Sequence, residues 1–496
     1  MPGPRPQPLA VRPACAPSPF QSSHGIPSDP SFARRPNRSR AVFEDRTVNG
    51  PGAASDHAPA APSFATALRY WLRLGCISFG GPAGQIAVMH QELVERRRWI
   101  SEGRFLHALN YCMLLPGPEA QQLATYIGWL LHRTPGGIAA GVLFVLPSLL
   151  LLIVLSWLYV SYGTLPLVAA VFYGLKPAVT AIVVQAAHRI GTRALANAWL
   201  WGLAVASFIA IAVFHVPFPT IVLTAALIGA AGGQWWPALF ARRAAHVARR
   251  ASHGPAVIDD HTPRPAHAHF RWSRLLTLAL LGALLWALPM AALYVLRGAG
   301  DTLTQMGWFF TKAALLTFGG AYAVLPYVYQ GAVVHYGWLS AAQMIDGLAL
   351  GETTPGPLIM VVAFVAFVGG HGAALASGEA PFAQAVLATV LVTWFTFLPS
   401  FLFILGGAPL VESSRGALRF TAPLTAITAA VVGVIFSLAV FFAHHTFWPA
   451  GLTQPPDWWA VLLALAALIA LVRLRVGVVP VLAACAVAGM AVAQFS

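Results

Sequence analysis

Long apolar stretches recur along the chain and restrict its fold more than any other feature. Residues 141–160, GVLFVLPSLLLLIVLSWLYV, run for 20 positions without a charged side chain, and residues 458–472, WWAVLLALAALIALV, are similar. A helix needs about 20 apolar residues to cross a bilayer. The alternation of polar and apolar residues over about ten positions that marks a transmembrane β-barrel does not repeat in the sequence. The sequence therefore predicts an all-α polytopic membrane protein.

Composition agrees with a membrane location and argues against several other classes of protein. Charged residues make up 9% of the chain, whereas soluble domains carry roughly 25%. The net charge is +14, but the arginines cluster in the polar segments, as the positive-inside rule describes, so we expect no nucleic-acid binding. The four cysteines show no CxxC or Cys/His spacing, so we expect no disulfide framework, metal site or cofactor. The sequence contains no P-loop or HExxH motif, so we expect a protein that is not an enzyme.

The two halves of the chain repeat one set of motifs in register. FGG, a tryptophan followed two residues later by a serine, and PGP occur in this order in each half. The matched positions, all 239 residues apart, are Ser78–Gly81 with Thr317–Gly320, Trp99 with Trp338, Ser101 with Ser340, Pro116–Pro118 with Pro355–Pro357, and Arg73 with Lys312. LPS recurs further on, at 146–148 and 398–400. Chance would hardly produce such a run, so we infer an internal duplication.

Polar segments set the predicted domain boundaries. Residues 1–62 are rich in Pro, Ala, Ser and Arg without apolar periodicity, which predicts a disordered N-terminal tail. A first membrane repeat is predicted over residues 63–240, a basic linker over 241–274 and a second membrane repeat over 275–496. The linker holds seven arginines against two aspartates, and the positive-inside rule therefore places it in the cytoplasm together with the N-terminus.

Thirteen apolar segments can be counted, six before the linker and seven after it. They cover residues 64–89, 104–132, 137–162, 165–187, 198–215, 217–236, 275–296, 307–330, 343–370, 382–406, 420–444, 458–472 and 476–495. The segment 275–296 has no partner in the first half. This extra crossing predicts that the two homologous halves are inverted relative to each other, a frequent plan in secondary transporters.

Basic residues test this topology. Arg189, Arg193, Arg473 and Arg475 fall on the side of the linker if all segments span the membrane. The loop ERRRWISEGR, residues 95–104, disagrees because it would lie on the other side. The disagreement disappears if each FGG segment and each PGP segment enters and leaves on one face. Non-helical backbone at membrane depth is tolerated inside protein or against a water-filled cavity, so we favour re-entrant or broken helices over plain spans.

The FGG and PGP motifs are candidate anion-binding elements. Proline lacks an N–H group and clashes with the preceding turn, while glycine permits tight turns, so a helix ends at each motif and another begins after it. The second helix presents unpaired N–H groups at the positive end of its dipole. A kink is the alternative for one motif, but both motifs are duplicated. The predicted substrate-binding residues are Arg73, Ser78, Gly80, Gly81, Pro116, Gly117, Lys312, Thr317, Gly319, Gly320, Thr353, Thr354, Pro355 and Gly356.

Charges inside the membrane indicate function by default, because they are costly to bury. Arg73 and Lys312 precede the FGG breaks and are candidate cations for an oxyanion, and Lys176, before Pro177, is a third candidate. The alternative for Arg73 and Lys312 is that they extend to the membrane interface. Glu119 follows the first PGP, and Glu352 precedes the second. A carboxyl group in apolar surroundings holds its proton more tightly, so both are candidates for proton coupling. The alternatives are a helix N-terminal charge for Glu119 and a partner of Lys312 for Glu352.

The two motif regions resemble the paired signature regions of the chromate ion transporter (CHR) family, in its long form with both halves on one chain. The stretches begin SFGGPAGQ and TFGGAYAV and run through the PGP motifs, and the resemblance covers residues 64 to about 495. It implies a bacterial inner-membrane protein that exports chromate with the proton motive force. Its partners are then chromate or sulfate, protons and the lipid bilayer, with a homodimer as a candidate assembly. Uptake or exchange of sulfate or another small oxyanion, and a passive anion channel, are the alternative functions.

Overall fold

The structure, a computed structural model, describes residues 59–79, 81–236, 255–260, 262, 265–318, 320–413 and 421–495. These residues form sixteen α-helices. One isolated β-bridge joins Ile100 to Ile258. Seven helical segments are long and apolar enough to cross a membrane. The predicted all-α polytopic membrane fold is therefore confirmed. Most of the predicted tail and residues 241–254 of the predicted linker lie outside the described residues, and the domain boundaries stay predictions.

The helices of the two halves follow the same order. In the first half they are α1 (Phe64–Ile77), α2 (Gly81–His90), α3 (Glu102–Cys112), α4 (Glu119–Tyr162), α5 (Pro166–Ala194), α6 (Ala198–Ala212) and α7 (Phe218–Trp235). In the second half they are α8 (Trp272–Arg297), α9 (Thr302–Leu316), α10 (Ala321–Tyr329), α11 (Ala341–Thr353), α12 (Val361–Ser377), α13 (Pro381–Ser413), α14 (Thr421–Phe447), α15 (Trp458–Val472) and α16 (Val478–Phe495). The π-helices Gln91–Arg96 and Gln330–His335 continue α2 and α10, and the 3-10 helix Leu358–Met360 precedes α12.

The repeated serines mark where two short helices begin. Ser101 is the N-cap of α3, and its hydroxyl accepts a hydrogen bond from the N–H of Arg104. Ser340 caps α11 in the same way through the N–H of Gln343. A cap of this kind contributes about 1 kcal/mol to helix stability. The serine after each repeated tryptophan therefore starts the helix that leads to PGP.

Helix α4 contains a break after residue 131. His132 (φ −133°, ψ 31°) and Arg133 (φ 57°, ψ −157°) leave the helical conformation. Pro135 lies in the first turn after the break, where the N–H group that proline lacks would have no partner within the helix. The second half has a corresponding interruption between α12 and α13. Each half thus continues from a short helix after PGP into a long helix.

The re-entrant segments of the first half begin and end near the linker. The loop between α2 and α3 pairs with the linker, since Ser101 donates its N–H to Ile258 O (2.9 Å). The start of α1 lies next to the break in α4, where His132 Nε2 donates to Pro62 O (3.0 Å). Helices α1 and α2 therefore enter and return at one end of the molecule, as do α3 and the short part of α4.

The linker covers the break in α4 and so identifies this end of the molecule. His267 Nε2 donates to Trp129 O (3.0 Å), and Arg274 donates to Thr134 Oγ1 (3.0 Å). Burial lowers the pKa of His267 from 6.5, so its ring is neutral near pH 7. We call this end the linker face.

The re-entrant segments of the second half enter from the other end, the opposite face. Arg297, at the end of α8, pairs with Glu379, which follows α12 (2.7 Å). The loop between α10 and α11 lines a cavity together with Tyr159 and Gly163, at the far end of α4, and His371 of α12. Since α8 and the long part of α4 run from the linker face to this end, helices α9 to α12 begin and end on the opposite face. The two halves are therefore inverted.

The long helices α5 and α14 join the two halves into one packed unit. Helix α5 packs against α15 and α16 of the second half, and α14 packs against α6 and α7 of the first. Gly174 of α5 lies against the backbone of α16 at Cys485, and Gly433 of α14 lies against that of α6 at Ala204. Small residues of this kind allow close helix crossings in membranes. Helix α8 packs on α9 and α13 and is mostly exposed.

Candidate substrate site

The breaks of the two halves meet inside the protein. Gly117, in the first PGP, donates its N–H to Thr317 O, before the second FGG (2.7 Å). Gly356, in the second PGP, donates its N–H to Ser78 O, before the first FGG (2.8 Å). The two donors are 239 residues apart, and so are the two acceptors. The two hydrogen bonds are therefore equivalent under the repeat, and each joins one half to the other.

The meeting point lies near the middle of the membrane. Helix α3 starts at the linker face and has 11 residues, which at about 1.5 Å per residue reach about 16 Å, half of a hydrocarbon core of roughly 30 Å. Helix α11 starts at the opposite face and has 13 residues. Helix ends that come from opposite faces touch only where both have reached the interior.

Backbone conformation explains the glycines of both motifs. Four of them have a positive φ angle: Gly81 (70°), Gly117 (124°), Gly320 (97°) and Gly356 (106°). Residues with a side chain rarely adopt such angles. Gly80 and Gly319, which were also predicted as site residues, lie outside the described residues. The motifs thus place glycine where the chain must turn between two helices.

Four helix N-termini surround the meeting point. Helix α2 begins at the last glycine of the first FGG, and α10 begins directly after the second FGG. Helix α4 and the 3-10 helix before α12 begin directly after the PGP motifs. Each N-terminus carries a partial positive charge and N–H groups that lack a partner within the helix. Gly117 and Gly356, predicted as substrate-binding residues, use their own N–H groups to join the halves. An anion at the centre would therefore face the N–H groups of the helix starts.

Buried polar side chains line the breaks. The buried atoms without a hydrogen-bond partner among the described residues include Ser78 Oγ, Ser148 Oγ, Gln121 Oε1 and Gln122 Oε1. Most buried polar groups in proteins are paired, and one left unpaired costs roughly 1–3 kcal/mol. A cluster of such atoms is expected where a site binds a polar ligand or water.

The serines of the repeated LPS motifs lie against the PGP glycines of the other half. A Cβ atom on Gly356 would stand 3.1 Å from Ser148 Oγ. Ser400 Oγ contacts the equivalent position on Gly117. Neither glycine has room for a side chain. Each PGP tip is thus enclosed by the long helix of the opposite half.

The two predicted proton-coupling residues, Glu352 and Glu119, lie beside the breaks in different surroundings. Glu352 is 4% exposed and accepts a hydrogen bond from Tyr322 OH (2.5 Å). The charge of Arg189, on α5, acts on both of these groups. Glu119 is half-buried, and its carboxylate lies 4.0 Å from the position of a Cβ atom on Gly320. Glu119 of the first half therefore reaches the FGG break of the second.

The two predicted cations occupy exposed positions. Arg73 and Lys312 lie on the exposed sides of α1 and α9, at equivalent places in the repeat. Glu352 is paired with Tyr322 and not with Lys312. Arg189, which the sequence assigned only to the basic side of the membrane, is half-buried.

The predicted threonines and prolines mainly shape the breaks. Thr317, Thr353 and Thr354 donate their hydroxyl groups to carbonyls of the preceding helical turn. Pro355 is buried, whereas Pro116 is half-buried. The first PGP is therefore the more accessible of the two.

Sequence reasoning missed Tyr322 and Gln85, two polar residues that make hydrogen bonds beside the breaks. Gln85 Nε2 donates to Gly356 O (2.5 Å) and so ties α2 to the second PGP. Each residue is a polar side chain in the first turn or so after FGG. Its counterpart in the other half is apolar, since Ala83 matches Tyr322 and Val324 matches Gln85. A search for repeated polar residues therefore passes over both.

Comparison with known proteins identifies the family. The model of the chromate transporter family matches residues 65–230 and 304–490. A chromate transport protein of Cupriavidus metallidurans is 32% identical over 380 residues, which cover 76% of this chain and 82% of that protein. A chromate transport protein of Pseudomonas aeruginosa is 32% identical over 407 residues, which cover 81% of this chain and 86% of that protein. No solved structure matches. The chain, with its two inverted halves and crossed breaks, belongs to the chromate transporter family.

Proposed function

We propose that the chain is a secondary transporter, rather than an enzyme, that exports chromate from the cytoplasm and couples export to the proton motive force. Membership of the chromate transporter family supports chromate as the substrate. The observation that carries the proposal is the meeting of four helix N-termini, from inverted halves, beside buried polar atoms that lack partners among the described residues. Broken helices hold anions in this manner in several transporter folds.

A divalent tetrahedral oxyanion suits the donors at the breaks. The N–H groups of the helix starts and the hydroxyls of Ser78 and Ser148 can donate to its oxygens. Arg189 supplies positive charge, and a guanidinium can donate two parallel hydrogen bonds to an oxyanion. We assign Arg73 and Lys312, at their exposed positions, to attracting the anion rather than to holding it. Sulfate or another small oxyanion is the alternative substrate, because its shape and charge resemble those of chromate.

The two halves differ in accessibility, which supports transport by alternating access. In the second half α10 and α11 are buried against α5, α7, α14 and α16. In the first half α2 and α3 expose one side, which includes Ala83, Ala87, Leu106 and Met113. We infer a conformation that is open toward the linker face and closed toward the opposite face. In the other conformation, α2 and α3 would be buried and α10 and α11 would be exposed. The substrate site would then open toward the opposite face instead of the linker face.

Glu352 and Glu119 are the proposed proton carriers. Protonation of Glu352 would remove a negative charge that accepts a hydrogen bond from Tyr322, where the second half packs against α5. A proton can shift the balance between two conformations only if it binds them unequally. In this proposal the packing of α11 against α5 changes between the two conformations, which would give Glu352 a different proton affinity in each.

The proposed location is the bacterial inner membrane, with the N-terminus and the linker in the cytoplasm. Arginines concentrate at the linker face, and the described ones include Arg98, Arg133, Arg193, Arg274, Arg473 and Arg475. Loops rich in arginine stay on the cytoplasmic side of bacterial membranes. The distribution of charge supports this orientation.

Uptake of labelled chromate into everted membrane vesicles tests the proposed function. Vesicles that contain the wild-type chain should accumulate chromate when the lumen is acidified, and an uncoupler should abolish accumulation. Glu352→Gln should lower gradient-driven accumulation by about tenfold or more, because it removes a group that titrates. Glu379→Gln, at an exposed carboxylate of the opposite face, is the control and should behave as wild type.

Three other outcomes of this experiment would favour a different function. A passive anion channel would still equilibrate chromate after the uncoupler. Faster movement of labelled sulfate than of chromate would favour the alternative substrate. Chromate uptake no greater than in vesicles without the protein would contradict the proposal.

A further inference from the structure

A charge pair with a buried carboxylate lies between the breaks and the cavity at the opposite face. Asp346 stands six residues before Glu352 on α11 and is 4% exposed. Its Oδ2 accepts a hydrogen bond from Tyr159 OH of α4 (2.9 Å). Lys176 Nζ of α5 approaches Asp346 Oδ1 only to 3.7 Å, and Oδ1 has no hydrogen-bond partner among the described residues. Three helices thus hold one carboxylate whose second oxygen is incompletely satisfied.

Tyr159 connects this pair to the cavity at the opposite face. Tyr159 lines this cavity and also donates to Asp346. Its other polar or aromatic lining side chains are Thr164, Trp338, Ser340, Gln343 and His371. The described lining residues include no Asp or Glu. An anion in the cavity would therefore meet hydroxyl, amide and imidazole donors without a fixed negative charge.

A second buried pair shows the geometry of a structural ion pair in this protein. Arg104 of α3 donates directly to one oxygen of Glu412 on α13, and Tyr126 donates to the other. Buried ion pairs stabilise a fold only when their geometry is good and their remaining groups are satisfied. Lys176 makes no such direct hydrogen bond to Asp346, and its side chain is 30% exposed. A structural role therefore explains the Arg104–Glu412 pair better than the Lys176–Asp346 pair.

We propose that Lys176 is an oxyanion-binding residue on the opposite-face side of the breaks, with Asp346 as its exchangeable counterion. A divalent oxyanion brings more negative charge and more acceptor oxygens than one carboxylate, so it can displace Asp346 from the ammonium group. Tyr159 keeps its hydrogen bond to Asp346 Oδ2 while the oxyanion replaces Asp346 at the ammonium group. The anion passes from the breaks to Lys176 and then into the cavity, a role that rests on the proposed oxyanion transport.

Transport kinetics of the full chain in lipid vesicles test the role of Lys176. Lys176→Gln should lower kcat/KM for chromate by about tenfold or more, whereas Lys176→Arg should keep most of the activity because it preserves the charge. Asp346→Asn should lower KM and kcat together, because an oxyanion without a competing counterion leaves Lys176 slowly. Arg297→Gln, which removes an exposed ion pair on the same face, is the matched control and should transport as wild type.

Binding of labelled chromate to the purified protein gives a second readout. Asp346→Asn should bind chromate more tightly than wild type does, and Lys176→Gln should bind it more weakly. A merely structural pair would not move the two affinities in opposite directions.

Two outcomes would overturn the assignment of Lys176. One is wild-type kinetics in Lys176→Gln. The other is an equal loss of kcat in Lys176→Gln and Asp346→Asn at unchanged KM, with recovery in the double variant. Both leave the proposed function standing, because the wild type still moves chromate. A wild type that neither binds nor transports chromate or sulfate contradicts the proposed function itself.

Discussion

At the scale of single residues, the PGP glycines serve first to join the two halves. Gly356 has a φ of 106°, donates its N–H across the repeat, and faces Ser148 where a Cβ atom would stand. Gly117 does the same with Thr317 and Ser400. The motif is therefore repeated because each half must present the same turn to the other. The anion-binding donors follow these glycines in the chain.

Replacement of Gly356 by alanine should destabilise the protein more than the same change at Gly298. A positive φ alone costs a residue with a side chain roughly 1–2 kcal/mol. Gly298 (φ 85°) bears only this cost, since nothing lies within 4 Å of its Cβ position. At Gly356 the methyl group would also collide with Ser148. Thermal unfolding of the purified protein in detergent measures the difference, and equal losses would argue against the contact with Ser148.

At the scale of helices, each half supplies the packing partners of a long helix of the other half. Helices α5 and α14 each pack on the short helix pair of the other half. The crossings depend on glycines, because Gly433 lies against the backbone of α6 and Gly174 against that of α16. Neither half can therefore bury its long helix alone.

Replacement of Gly433 by leucine should separate α14 from α6. A side chain at this position would run into the backbone of α6 at Ala204, and overpacking of this kind costs roughly 1–3 kcal/mol or more. Gly202→Leu is the matched control on α6, because nothing lies within 4 Å of its Cβ position. The yield of monodisperse protein in size-exclusion chromatography measures the effect. A normal yield of Gly433→Leu would contradict this crossing.

At the scale of the whole molecule, re-entrance decides which loops share a face. The loop between α2 and α3 meets the linker, and the loop between α10 and α11 meets the far end of α4. Plain spans would exchange the faces of these two loops. The placement of both loops therefore distinguishes the two topologies.

Labelling of single cysteines should show this arrangement. In a background without other cysteines, an impermeant maleimide should label Arg98→Cys from the same side as His269→Cys in the linker. Val334→Cys, at an exposed position before α11, should be labelled only from the other side. Labelling of positions 98 and 334 with the reverse sidedness would contradict the re-entrant fold.

Much of the fold follows from local features of the sequence, and less of the site does. Apolar length predicts helices in a membrane, and the motifs 239 residues apart predict two equivalent halves with breaks. Glu352 and Ser78 are predicted site residues because they stand beside those breaks. Local sequence does not point to a site role for Tyr322, Arg189 or Asp346, because each owes its place to helix packing between distant parts of the chain.

The sequence by itself determined that the chain is helical, lies in a membrane, is duplicated, and breaks its helices at FGG and PGP. These are consequences of side-chain hydrophobicity and of the backbone limits of glycine and proline, which act locally. Only the tertiary structure decided that each PGP glycine donates a hydrogen bond to the residue before the FGG of the other half, and that Glu352 takes Tyr322 rather than Lys312 as its partner. Such pairings depend on how inverted helices pack, and local sequence carries no record of that packing.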